Sequence, residues 1–135
     1  PNLLPPLVMF GLWGLLIGEI NFGAAAVFSI AIGIIVDDTV HMLSKYEFAR
    51  NHHKLLPEDA IRYVFKHTGS ALIITTTAIA LGFFALSFSL LDLNKSMGLM
   101  VSGTVVIALF LDFVLLPVLL LWLDKDARAN AAQKI

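Results

Sequence analysis

The sequence predicts an all-α, polytopic membrane protein with four transmembrane helices and one short amphipathic helix. Three observations carry that prediction. Hydrophobic residues make up 59% of the 135 residues, above the roughly 45–50% usual in soluble domains, and the mean hydropathy is +0.88. Charged residues are only 14% and cluster between the apolar runs. Three of the runs reach the ~20 residues that cross a bilayer core of about 30 Å. A net charge of −1 offers no basis for nucleic acid binding, and the absence of cysteine excludes disulfides, thiol catalysis and cysteine-ligated zinc. The chain opens at Pro1 without a charged leader, one turn before an apolar run. It therefore reads as the C-terminal part of a longer polypeptide.

Each element has its own justification. Residues 3–17 form the first span, short and with Pro5 and Pro6 near its start. Glu19 lies in the turn that follows, and Asn21 is placed to cap the second span, residues 23–45. Within a polar segment, Pro57 followed by Glu58 and Asp59 signals a helix start. Ala60, Ile61, Val64 and Phe65 then form an apolar stripe, which predicts a surface helix over 57–67 lying on the membrane, broken or bent at Gly69. Residues 70–91 form the third span, 92–96 a short loop and 97–123 the fourth span, with Trp122 as interface anchor and 124–135 as polar tail. Lys45, Arg50, Lys54, Arg62 and Lys66, with Lys125, Arg128 and Lys134 in the tail, face a single Lys95 in the opposite turns. The positive-inside rule then puts segment 45–68 and the tail in the cytoplasm, with spans two and four parallel and span three reversed.

The second span holds the chemistry. It places Asp37, Asp38 and His41 in an apolar helix, where each ionisable group costs roughly 2.5–3.5 kcal/mol on insertion scales. Ala25, Ser29, Gly33, Asp37 and His41 recur at four-residue spacing and share one face. Small residues admit a neighbouring helix, so this face is expected to pack on protein rather than lipid. Two adjacent carboxyls in low dielectric do not both ionise cheaply. Such a pair can load and unload protons, with His41 one turn away as partner or relay. Asp37 lies fourteen residues after Gly23 and Asp112 fourteen after Gly98, about 21 Å down each helix. The threonine run Thr75–Thr77 lies at a similar depth, with Thr75 facing the same way as Ala71 and nearly as Gly82. Pro117 follows Asp112 and can kink its helix. Gly82, Gly98 and Gly103 are further close-packing points.

Blander readings stand beside these. The second helix could end near Asp37 and leave the acids among headgroups. Asp112 could serve only to hold a neighbouring helix end, and threonines commonly bond their own helix. His52 and His53 could join His41 and the acids as metal ligands, but adjacent histidines in a polar loop are more often solvated.

The motifs Pro1-Asn2-Leu3-Leu4-Pro5, Ile32 to His41 (IGIIVDDTVH), Gly69 to Thr77 (GSALIITTT), Gly82-Phe83 and Asp112 to Pro117 (DFVLLP) keep their order along the chain. Together they resemble the RND (Resistance-Nodulation-Division) exporters, and among these the MMPL-like branch related to Patched and sterol-sensing-domain proteins. The resemblance implies twelve membrane helices in two halves, of which this chain would be the last four of one half. It implies proton-driven export of a hydrophobic or amphiphilic substrate, lipids among them, from a bacterial inner membrane, with no cofactor and no resident metal. It gives Asp37 and Asp38 the place of the family's proton-relaying acids, Thr75 that of a supporting hydroxyl, and Asp112 that of a recurrent acid. The partners it implies are the rest of the transporter, membrane lipid, substrate and protons. An acidic pair in what reads as the second half departs from the best-known drug exporters. Either this branch keeps relay groups in both halves, or a half-length protein pairs with a second copy. Two other classes stay open: a non-transporting bundle like a sterol-sensing domain, and a membrane metalloenzyme.

Overall fold

The computed structural model describes residues 2–18 and 22–132, with side chains except at positions 22, 24 and 125–132. Glu19, Asn21, the side chains of Lys125 and Arg128, and Lys134 lie outside the described parts. Helix follows helix: α1 (Leu4–Leu16), α2 (Phe22–Asn51), α3 (Pro57–Val64), a π turn (Phe65–Gly69), α4 (Ser70–Leu86) and α5 (Asp92–Ala132). Three segments are long and apolar enough to cross a membrane, Ala25–Asn51, Pro57–Leu86 and Asp92–Asp124. The expected first span is apolar but has only 13 residues, about 20 Å of helix and less than a bilayer core. Its first turn explains this. Asn2 meets Thr39 in the middle of α2, so α1 covers only part of the bundle's length.

Several boundaries move for physical reasons. α2 continues to Asn51, past the expected end near Lys45, because Tyr46 and Ala49 extend its buried stripe. Gly69 does not break the chain. It keeps helical angles (φ −58°, ψ −44°) and is buried against Phe65 and Phe113, so the surface helix runs through the π turn into α4. α5 starts at Asp92, inside the expected loop, and carries on through Pro117 into the tail. Pro117 offers no N–H to the carbonyl four residues back, yet the surrounding helix persists.

The core is layered along α2 and α5. Val27, Met100, Val101 and Val105 pack with Trp13 and Ala80 at one end. Ala31, Ile35 and Ala108 follow. At the other end Met42, Tyr46, Ala49 and Leu116 receive Ala60 and Val64. The apolar stripe of α3 thus docks on protein, where the sequence suggested a membrane surface. Thr39 meets Asp112 and Tyr46 meets Asp124, so α2 and α5 run parallel. Gly98 lies against Phe83 and Ser87 while Gly69 lies against Phe113, so α4 runs antiparallel to both.

Within this chain α2 packs through a different face from the strip of small residues. Ala25, Ser29, Gly33, Asp37 and His41 are all exposed in this chain, while Val27, Ala31, Ile35 and Met42 are buried. Branched side chains offer α5 more dispersion contact than a smooth strip does. Gly33 and Gly82 have open space around them, whereas Gly98 and Gly103 sit in contacts. A methyl on Gly98 would lie 2.5 Å from the Phe83 carbonyl oxygen and 2.9 Å from the Ser87 nitrogen. Both are backbone atoms, so neither can turn aside. At Gly103 the neighbour is the flexible end of Met9.

One ionic node fastens the far end. Arg50 grips Asp124 through Nε (2.9 Å) and Nη2 (3.1 Å). Its Nη1 donates to the Leu55 carbonyl, and Tyr46 Oη donates to Asp124 at 3.0 Å. The paired guanidinium–carboxylate contact is the strong form of this bond, and it ties α2, the α2–α3 connection and α5 together. Gly98→Ala is expected to destabilise the bundle by about 1–3 kcal/mol, with Gly82→Ala neutral or mildly stabilising, read by unfolding in bicelles. Arg50→Ala should cost about 1–3 kcal/mol in the same assay, since it leaves Asp124 and the Leu55 carbonyl short of donors.

Candidate functional site

Between the apolar layers lies a polar one. The helical period that buries Val27, Ala31 and Ile35 brings Thr39 next to the same neighbour, α5, at the level where that helix carries Asp112. Thr39 Oγ1 lies 2.9 Å from Asn2 Oδ1, 3.0 Å from the Ile35 carbonyl and 3.3 Å from Asp112 Oδ1. Asp38, the next residue round the helix, turns toward α4 and receives a hydrogen bond from Thr76 Oγ1 at 3.2 Å. One and two turns before Asp112, Ala108 and Thr104 are buried, and the Thr104 hydroxyl is spent on the Met100 carbonyl at 2.6 Å. Asp112 is 3% exposed. Its second oxygen, Oδ2, is buried with no hydrogen-bond partner among the described residues.

The cluster is short of hydrogen. Thr39 has one hydroxyl proton and three oxygens around it. Turning the Asn2 amide over would add one donor and still leave Asp112 Oδ2 without any. An unpartnered charged oxygen in apolar surroundings is expensive. One further proton, carried on Asp112, would remove the buried charge and let Oδ1 donate to Thr39.

The structure brings some of the expected residues together and leaves others apart. Asp38 and Asp112 share the polar layer, linked through the adjacent Thr39. Asp37 and His41 stay on the exposed side of α2. Thr75, expected to be the inward hydroxyl, is exposed and donates to its own helix at Ala71 (3.0 Å) and Leu72 (3.1 Å). Thr76, 2% exposed, takes the inward place. The four-residue alignment of Thr75 with Ala71 was sound, but α4 presents Leu72, Thr76 and Ala80 to its neighbours. Thr39 and Asn2 went unnoticed because a threonine and an asparagine carry no charge to mark them. The signal available was position: Thr39 continues the run Val27, Ala31, Ile35.

The loop histidines form a different group. His52 stacks on Phe48 (4.8 Å between ring centres), His53 meets Phe48 and Tyr63, and His67 stacks on Tyr63 (4.1 Å). They belong to an aromatic surface cluster. Among the described residues no three His, Asp or Glu side chains are grouped as metal ligands, so the arrangement gives the metalloenzyme reading no ligand set.

With this geometry in view, the comparisons with known proteins are specific. The family model described as "MMPL family" matches residues 8–134, almost the whole chain. Searches of curated proteins and of solved structures give no match. A helical bundle with three membrane-length apolar helices, a buried polar layer between them and a match over nearly its full length establish one conclusion. The chain belongs to the MMPL family, a family of membrane transporters.

Proposed function

We propose that this chain is part of a proton-driven exporter of hydrophobic or amphiphilic molecules, lipids among them, and that its polar layer carries the proton. The observation that supports this reading is the Asp112 carboxyl: buried, with one oxygen unpartnered, beside a hydroxyl surrounded by acceptors. In one state Asp38 and Asp112 each hold a proton and the layer is uncharged. In the other a proton has left, and the buried charge favours a different packing of α2, α4 and α5. A two-state element biased by a charge is what coupling requires. Thr39 and Thr76 hold the carboxyls in position.

Asp37 and His41 have their role on the other side of α2. Ionisable groups on a lipid-facing surface carry the insertion cost given above, roughly 2.5–3.5 kcal/mol for an aspartate at mid-membrane. The exposed strip of Ala25, Ser29, Gly33, Asp37 and His41 is therefore the face where the remaining helices of the transporter pack, with Asp37 and His41 passing protons between that interface and Asp38. Thr75, on the surface of α4, supports the same path. In this reading the Arg50–Asp124 end is cytoplasmic, in accord with its excess of Lys and Arg, and the membrane is a bacterial inner membrane.

The test is proton flux through the whole transporter in proteoliposomes, followed by a trapped pH-sensitive dye under an imposed pH gradient. Asp38→Asn and Asp112→Asn are each expected to lower it by about 100-fold or more, the scale of a lost acid–base group. Undiminished flux in the Asp37→Asn, Asp38→Asn double variant would rule the relay out. Thr39→Val and Thr76→Val should slow flux by a smaller factor, about fivefold, because each removes one hydrogen bond worth about 1 kcal/mol while leaving the carboxyls in place. Equal losses for the threonine and aspartate variants would instead make the layer purely structural.

A further inference from the structure

The π turn at Phe65–Gly69 joins the docked helix α3 to α4 and sits directly upstream of the hydroxyl that serves Asp38. A π turn holds one residue more than an α turn, and such turns gather at functional sites. If this one closes to α geometry while α3 stays docked through Ala60 and Val64, the extra residue passes into α4. That helix then turns by about 100° and advances about 1.5 Å, the step of one residue. Each residue arrives where its successor had been. We propose that Phe65–Gly69 is a register switch, and that its closure replaces Thr76 by Thr75 as the hydroxyl at Asp38.

Three independent features fit this device. The first is the repeat Thr75-Thr76-Thr77, which supplies a hydroxyl at Asp38 in either register. The second is the shape of the incoming face. Leu72, Thr76 and Phe83 would give way to Ala71, Thr75 and Gly82, all exposed now, while Ile79 enters at the place of Ala80. Gly82 then stands in place of Phe83 at the backbone contact with Gly98.

The third feature lies in the turn itself. Thr39, Thr75 and Thr104 each donate to the carbonyl four residues back. Thr68, inside the π turn, is 4% exposed and its hydroxyl has no partner among the described residues. The π geometry carries the Val64 carbonyl away from the position an α-helix would offer it. Closing the turn restores that acceptor, so the open form holds a deficit that the closed form removes. This narrows the gap between the two registers, as a switch needs. The consequence for transport rests on the proton reading above, because only there does exchanging the partner of Asp38 gate a proton. The register exchange itself does not depend on it.

Disulfide cross-linking in the whole protein in its membrane separates the two. This chain has no cysteine, so the engineered pairs are unique within it. Asp38→Cys is combined with Thr76→Cys or with Thr75→Cys and oxidised with copper phenanthroline. Both pairs are expected to cross-link. Deleting Lys66, an exposed residue of the π turn, removes the extra residue and leaves α4 in its present register, so the 38–75 cross-link is lost and the 38–76 cross-link kept. A 38–75 pair that fails to cross-link at full length overturns the switch, whether or not the deletion variant folds. So does a 38–75 cross-link that survives the deletion. Loss of proton flux in Asp38→Asn bears on the relay alone, and neither result substitutes for the other.

Discussion

A carboxyl group buried among apolar helices has to be given hydrogen-bond partners or a proton, and the arrangement of this bundle follows from meeting that demand at Asp112. Its side chain is almost fully enclosed. The groups that approach it come from two other helical segments: Thr39 from α2 and, through Thr39, Asn2 at the start of α1. Parallel packing of α2 on α5 brings Thr39 to Asp112 and, further along, Arg50 to Asp124. The two contacts set the same register at two depths. Apolar layers on either side of the polar one supply most of the burial, and the ionic node at the end stops the helices from sliding.

The two ends of the bundle use charge differently. At Arg50–Asp124 a cation and an anion meet in paired geometry with a tyrosine hydroxyl beside them, and each guanidinium nitrogen has an acceptor. That is a fastening. In the middle, acceptors outnumber donors, and no arginine or lysine is bonded to Asp38 or Asp112 among the described residues. A cation bonded to a carboxyl favours its charged form; the threonines at Asp38 and Asp112 supply hydrogen bonds without that bias, in keeping with the proposed relay.

The α4 helix carries the proposed register switch. Its most exacting contact, at Gly98, is made by backbone atoms that do not depend on which side chain is present. Its connection to α3 is a π turn with an unsatisfied hydroxyl, and among the described residues it meets the polar layer through the hydrogen bond from Thr76 to Asp38. Leu72 and Ala80 are buried on the same face, so a change of register exchanges their packing together with that bond.

The sequence by itself determined the class of this protein. Long apolar runs with confined charge require a membrane bundle, since backbone groups in lipid are satisfied within helices. Aspartates inside such runs mark a candidate site because burial makes them costly. Those inferences need only composition and order, and the family match agrees with the resemblance the motifs carried. Tertiary structure alone decided which helix faces meet. The strip from Ala25 to His41 and the packed strip from Val27 to Thr39 have the same period, and a spacing of four residues cannot say which one finds a partner. The same holds for Thr75 and Thr76, one residue and about 100° apart: the choice was made by the extra residue in the π turn, which no hydrophobic pattern records. Helix ends were hidden for a related reason. Asp92 and Gly69 carry turn-like chemistry, yet the Lys95 N–H closes a first turn on the Leu91 carbonyl, and Gly69 lies against Phe113, a contact that exists only once the bundle has formed.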